Sequence, residues 1–123
     1  MKKYTEEEQR ANLEGACKAL EENPKKALSV MRDNKGGRCC LCVMEDYARS
    51  VDPEVREGGE SLPHSDLASF YGIKNSQRSK RSFSFMFNNG DSAASCNDGI
   101  HHPDINEHTH KEIAARIRKD FLA

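Results

Sequence analysis

The chain has no apolar stretch longer than the six residues 39–44, no excess of either charge and no assembled catalytic signature. Six apolar residues fall far short of the ~20 that a membrane-spanning helix needs. The charged start Met1-Lys2-Lys3 runs into Glu6-Glu7-Glu8, where a secretory signal would require an apolar segment, so export by that route is not expected. With 19 basic against 20 acidic residues the net charge is -1, which disfavours a protein whose main task is coating nucleic acid. No Gly-rich phosphate loop, no nucleophile with base and orienting acid, and no paired carboxylates stand at readable spacing, so the sequence points away from an enzyme. Internal repeats and low-complexity tracts are absent as well.

What is present describes one domain spanning 1–123. A length of 123 residues supports a single core, and a 36% hydrophobic fraction with a mean hydropathy of -0.85 makes that core thin. Five cysteines is an odd count, and three of them crowd into positions 39–42, which suits free thiols in a reducing cytoplasm better than a disulfide framework.

Local signals predict a mostly helical α+β fold, with four to five short helices packed on one small β-hairpin. Thr5 with Glu8 forms a capping box, and Leu13, Ala16, Cys17 and Leu20 then recur at helical spacing as far as Glu22, where Asn23-Pro24 ends the helix. Pro24 suits the first turn of a second, short helix carrying Ala27, Leu28 and Met31 inward. The segment Cys39 to Val51 is the most apolar helix; on a helical wheel Cys40, Val43, Met44, Tyr47 and Val51 share the core face. Glu45, Asp46, Arg49 and Cys42 fall opposite, which predicts an accessible Cys42. Residues 52–61 read as a surface loop, and Leu62-Pro63 through Gly72-Ile73 as a short helix with proline at its start and glycine past its end. After a basic loop at 74–82, Phe83, Phe85 and Phe87 alternate with Ser84 and Met86 ahead of Asn89-Gly90, a strong hairpin signal that would place Ser92, Ala94 and Cys96 across from the phenylalanines. Thr109 with Glu112 caps a closing helix built on Ile113, Ala114, Ile117 and Phe121.

Four candidate chemistries follow. Cys39 and Cys42 have the Cys-x-x-Cys spacing of a redox pair, but Gly36-Gly37-Arg38 precedes them where a thioredoxin-like site needs a strand. The same two thiols with Cys96 and His101 could hold structural zinc, with His102, His108 or His110 as substitutes; this is the alternative to small thiols used in packing. Asn97-Asp98-Gly99 is turn chemistry or part of a ligand site. Lys74, Arg78, Lys80 and Arg81 put four cations into eight residues, suited to an anionic ligand, although the alternation buries the phenylalanines that would otherwise stack on a base.

Taken in order, Arg38-Cys39-Cys40-Leu41-Cys42-Val43-Met44, Leu62-Pro63, Phe70-Tyr71-Gly72-Ile73, Asn97-Asp98 and Glu112-Ile113-Ala114-Ala115-Arg116-Ile117 resemble a family of small bacteriophage and prophage proteins with a Cys-Cys-Leu-Gly-Val-Leu core motif. The family's glycine is Cys42 here, and Cys96 stands where an aliphatic residue is usual, so the resemblance implies neither zinc nor redox ligands. It implies a non-catalytic, phage-encoded accessory protein in the host cytoplasm, acting in host takeover or counter-defence by sequestering a host protein or a small anionic, nucleotide-like ligand. The expected ligand residues are Arg78, Lys80, Arg81, Asn97 and Asp98, with no cofactor; a small zinc-stabilised regulator is the alternative.

Overall fold

Two threonines start the first and last helices. In a computed structural model describing residues 2–27, 31–98 and 108–123, the Thr5 hydroxyl accepts from Glu8 N at 3.1 Å and the Glu8 carboxylate from Thr5 N at 3.0 Å. Both orphan donors of the first turn are thereby satisfied. The helix so opened, α1, runs Glu6–Glu22 and buries Leu13, Ala16, Cys17 and Leu20 as its spacing predicts. The same reciprocal cap at Thr109 and Glu112 opens the last helix, His110–Ile117, which continues into a π-helical turn at Arg118–Leu122.

Between them, among the described residues, lie three helices: α2 at Cys40–Val51, α3 at Asp66–Tyr71 and α4 at Ala93–Asp98, so that the closing helix is α5. α1 packs against α2, α3 and α5, while α4 bridges α2 and α5. α3 ends as expected: Gly72 adopts the left-handed conformation at φ 68°, and both Gly72 N and Ile73 N donate to the Ala68 carbonyl. Ile73 folds back and is buried.

The predicted hairpin is not formed. Among the described residues there is no β-strand, only two isolated antiparallel bridges, Arg32 with Arg38 and Met86 with Ser92. The turn exists but is three residues long: Gly90 N donates to Phe87 O at 2.9 Å, Phe87 N to Asp91 O at 2.8 Å, and Gly90 has φ 93°. Beyond it, the Ser92 hydroxyl accepts from Ser95 N at 3.1 Å and starts α4, so the chain coils where the second strand was expected. Ala93, Cys96 and Asn97 then face inward at helical spacing, in place of the alternation Ser92, Ala94, Cys96. The phenylalanine half of the prediction matches the structure, since Phe83, Phe85 and Phe87 are all buried.

Two further expectations are corrected. The short helix after Pro24 is not seen at residues 24–27; Leu28 lies outside the described residues. Lys25 O accepts from Arg38 N, Met31 N donates to Glu60 O, and Met31 O accepts from Cys39 N, so the backbone there bonds across the fold and not to its own next turn. On α2 the wheel misplaces a residue on each face: Val51 is 49% exposed, whereas Glu45 is buried, because residues 31–38 and 55–60 cover the helix face assigned to solvent. Gly58 N donates to Glu45 Oε1 at 2.5 Å, Arg49 Nε to Val55 O at 3.2 Å, and Arg32 Nη2 to Asp46 at 2.5 Å.

Of the three glycines with positive φ among the described residues, Gly36, Gly72 and Gly90, the last two separate steric crowding from backbone strain. A Cβ on Gly72 would lie 2.6 Å from Gln9 Oε1, while one on Gly90 would meet nothing within 4 Å. Gly90→Ala is expected to cost about 1 kcal/mol from the φ requirement alone, and Gly72→Ala more than that, measured by urea denaturation.

Candidate functional site

The thiols at the start of α2 are built into its cap and core. Cys39 is the N-cap residue: its Sγ accepts from Cys42 N at 3.3 Å and lies 3.7 Å from Met31 Sδ. Cys40 Sγ donates to Ala93 O at 3.7 Å. Cys42, expected to be accessible, is fully buried under the 31–38 and 55–60 segments, with its Sγ 3.9 Å from Asp46 Oδ2. Burial pushes every one of the five thiols up, Cys17 and Cys42 from 9.0 to about 12. Neutral, buried thiols are poor nucleophiles.

Cys96 is also buried, and Arg116 Nη1 lies 3.3 Å from its Sγ. The Sγ atoms of Cys39, Cys42 and Cys96 therefore engage three different neighbours. Among the described residues no three His, Cys, Asp or Glu side chains group where a metal could be held. His101 and His102 lie outside the described residues. His110 is buried in the first turn of α5 with Nδ1 on Asn23 O, and burial pushes its pKa down.

The thiols yield a pH prediction. Their folded-state pKa values exceed the unfolded ones, so the stability they support is fully present below about pH 9 and is lost as pH rises towards about 12. Melting temperature should fall across that window. A thiol reagent at pH 8 should label native protein slowly and all five cysteines rapidly in denaturant.

Asn97 proves to be a structural clamp. Its Oδ1 accepts from Cys40 N at 3.0 Å, while its Nδ2 donates to Ala27 O and to Asp98 Oδ1, both at 2.9 Å. Lys26 Nζ closes the same corner on Asn97 O at 3.1 Å and His108 O at 2.8 Å. The Asn97 amide is thus committed to protein partners, and no hydrogen bond or ion pair among the described residues links Asn97 or Asp98 to the basic loop. Asn97→Ala would leave the buried Cys40 N–H and Ala27 carbonyl unpaired, with an expected loss of about 2–4 kcal/mol by chemical denaturation.

The basic loop is held at its neck. Asn75 Oδ1 accepts from Gln77 N at 3.0 Å and from Ser84 N at 3.3 Å, and its Nδ2 donates to Ser82 O at 2.8 Å. Ser76 N donates to Ser84 O at 2.9 Å, and Ser65 Oγ to Lys80 O. One asparagine thus ties both ends of the loop together and anchors it to the 83–87 segment. The signal was available in the sequence, since an Asn commonly bonds the backbone two residues on; its second role, across the neck, was not.

The loop's arginines differ from the rest. Arg10 reaches the Phe121 and Leu122 carbonyls, Arg32 and Arg38 pair with Asp46, Arg49 with Glu57, Arg56 with Asp66, Arg116 with Asp91, and Arg118 with Glu14 and Glu21. Among the described residues, only Arg78 and Arg81 have a guanidinium without such a partner. Lys74 and Lys80 also lack one, and all four residues are exposed.

Beside the neck, Lys74, Asn75, Ser76 and Met86 line a groove of about 430 Å³. Its size lies within the ~300–1,000 Å³ range of small-molecule sites. Met86 is 49% exposed, and Ser84, on the same side of the alternating segment, is buried with its Oγ lacking any hydrogen-bond partner. Sequence reading assigned neither residue a role.

No family model, curated protein or solved structure matches this chain. No helix among the described residues is long and apolar enough to cross a membrane. Fold and site together define a small, mostly helical domain displaying a pinned cationic loop.

Proposed function

We propose that the chain is a non-catalytic binding protein that captures a small anionic ligand on the 74–82 loop. One observation carries this reading: Arg78 and Arg81, three residues apart, are the arginines left without an acid or carbonyl partner among the described residues, in a chain that pairs its others. Guanidinium groups bind phosphate and carboxylate through paired, charge-assisted hydrogen bonds. The loop's pinned neck lowers the conformational entropy lost on binding. Burial of the thiols further supports binding over thiol chemistry. The wider setting, a phage accessory protein that sequesters its ligand during host takeover or counter-defence, rests on the resemblance of the core motif.

Titration calorimetry at low salt with pyrophosphate and a nucleotide panel tests the reading. Wild-type protein should bind at least one of these anions, and the Arg78→Ala/Arg81→Ala variant should bind it about tenfold or more weakly, each lost charged hydrogen bond being worth about 1.5–3 kcal/mol. Both side chains are exposed, so the variant's melting temperature should match wild type. Failure of every anion to bind, or equal binding by the variant, overturns the proposal.

A further inference from the structure

The start of α5 is fastened to the end of α1 through one imidazole. His110, the first residue of α5, is 1% exposed, and its Nδ1–H donates to the carbonyl of Asn23, the C-cap of α1. With the proton on Nδ1, Nε2 is a bare acceptor, and it has no hydrogen-bond partner. A proton added at Nε2 would put a full positive charge into the protein interior. The surroundings oppose that charge. Lys26 holds its ammonium on the carbonyls of Asn97 and His108 at the same joint, and it acts on His110 in the same direction as burial. The positive end of the α5 dipole adds to this. The backbones of Asn23 and Arg38 pull the other way without offsetting burial. Carboxylates on the neighbouring elements are committed elsewhere: Asp98 at the end of α4 accepts from Asn97 Nδ2, Glu112 on α5 itself from Thr109 N, and Glu21 in the last turn of α1 pairs with Arg118. The Arg38 guanidinium pairs with Asp46, and Glu22 and Lys111 are exposed.

We infer that His110 is a proton-operated latch: neutral, it holds the start of α5 on the α1 C-cap; protonated, it leaves the interior, and the first turn of α5 parts from α1 with it. The latch is independent of what the basic loop binds. In the folded state His110 titrates below its ordinary value of 6.5, and it returns to that value once the joint opens. The stability it supports is therefore fully present above pH 6.5 and is lost as pH falls below it. Glu45, also buried, works in the opposite direction: burial pushes its pKa up, so acid favours its folded form.

Amide hydrogen exchange on the full chain, followed by NMR as pH is lowered and corrected for the intrinsic rate, tests the latch. The Ile113 amide, which donates to Thr109 O, and the His108 amide, which donates to Cys96 O, report on the joint, and the Cys17 amide in the middle of α1 reports on the rest of the fold. Exchange at Ile113 and His108 should accelerate about tenfold per pH unit below pH 6.5, the dependence set by uptake of one proton, while exchange at Cys17 does not. His110→Gln offers Asn23 O a donor that does not titrate, and it should remove the acceleration. The imidazole resonance of wild-type His110 gives a reading that needs no variant: it should titrate below 6.5. No acceleration in wild type, equal acceleration in His110→Gln, or a His110 resonance that titrates at 6.5 or above overturns the proposal. So does acceleration shared equally by Cys17, which would mean that the whole fold opens.

Discussion

The amide of Asn97 joins three parts of the chain that are far apart in sequence. Its oxygen receives the first N–H of α2, and its nitrogen reaches the carbonyl of Ala27, so α4, the start of α2 and the segment after α1 meet at one side chain. A helix start leaves its first N–H groups unpaired, and burying one without a partner costs more than an ordinary hydrogen bond contributes. α2 is the apolar centre on which α1, α3 and α4 converge. Its burial is tolerable because Asn97 and the Cys39 sulfur satisfy the donors at its entrance.

That arrangement explains why the cysteine cluster, the most conspicuous pattern in the sequence, is structural in character. Cys39 caps, Cys40 faces α4, and Cys42 lies under loops held over α2 by Glu45 and Asp46. Low dielectric surroundings keep the thiols protonated, the opposite of what nucleophilic or metal-binding cysteines require. On the surface loop, by contrast, Lys74, Arg78, Lys80 and Arg81 are exposed and without an acid partner among the described residues, while Asn75 holds the backbone.

Much of the helical framework was legible because it is local. The two capping boxes involve residues three apart, the spacing of Leu13, Ala16, Cys17 and Leu20 is one helix's own periodicity, and the glycine stop at Gly72 is a backbone requirement. The site was legible in part. Arg78, Lys80 and Arg81 were visible as a charge run, but whether a charge is free depends on where the acids of other segments lie. Asn97 stood out in the sequence as turn chemistry or part of a ligand site, but its three partners could not be read there, since they are contributed by α2, the 24–27 segment and its neighbour Asp98.

By itself the sequence determined where α1 and α5 begin, where α1 and α3 end, which side of α1 and α5 is apolar, and that Phe83, Phe85 and Phe87 turn inward together. Tertiary structure decided the rest. It replaced a second strand with α4 once Ser92 capped a helix, buried Cys42 and Glu45 beneath covering loops, and exposed Val51 and Met86. Capping and periodicity act within a few residues and leave a local record. Burial and ion pairing depend on which distant segment covers a face, and a single-helix wheel carries no information about that.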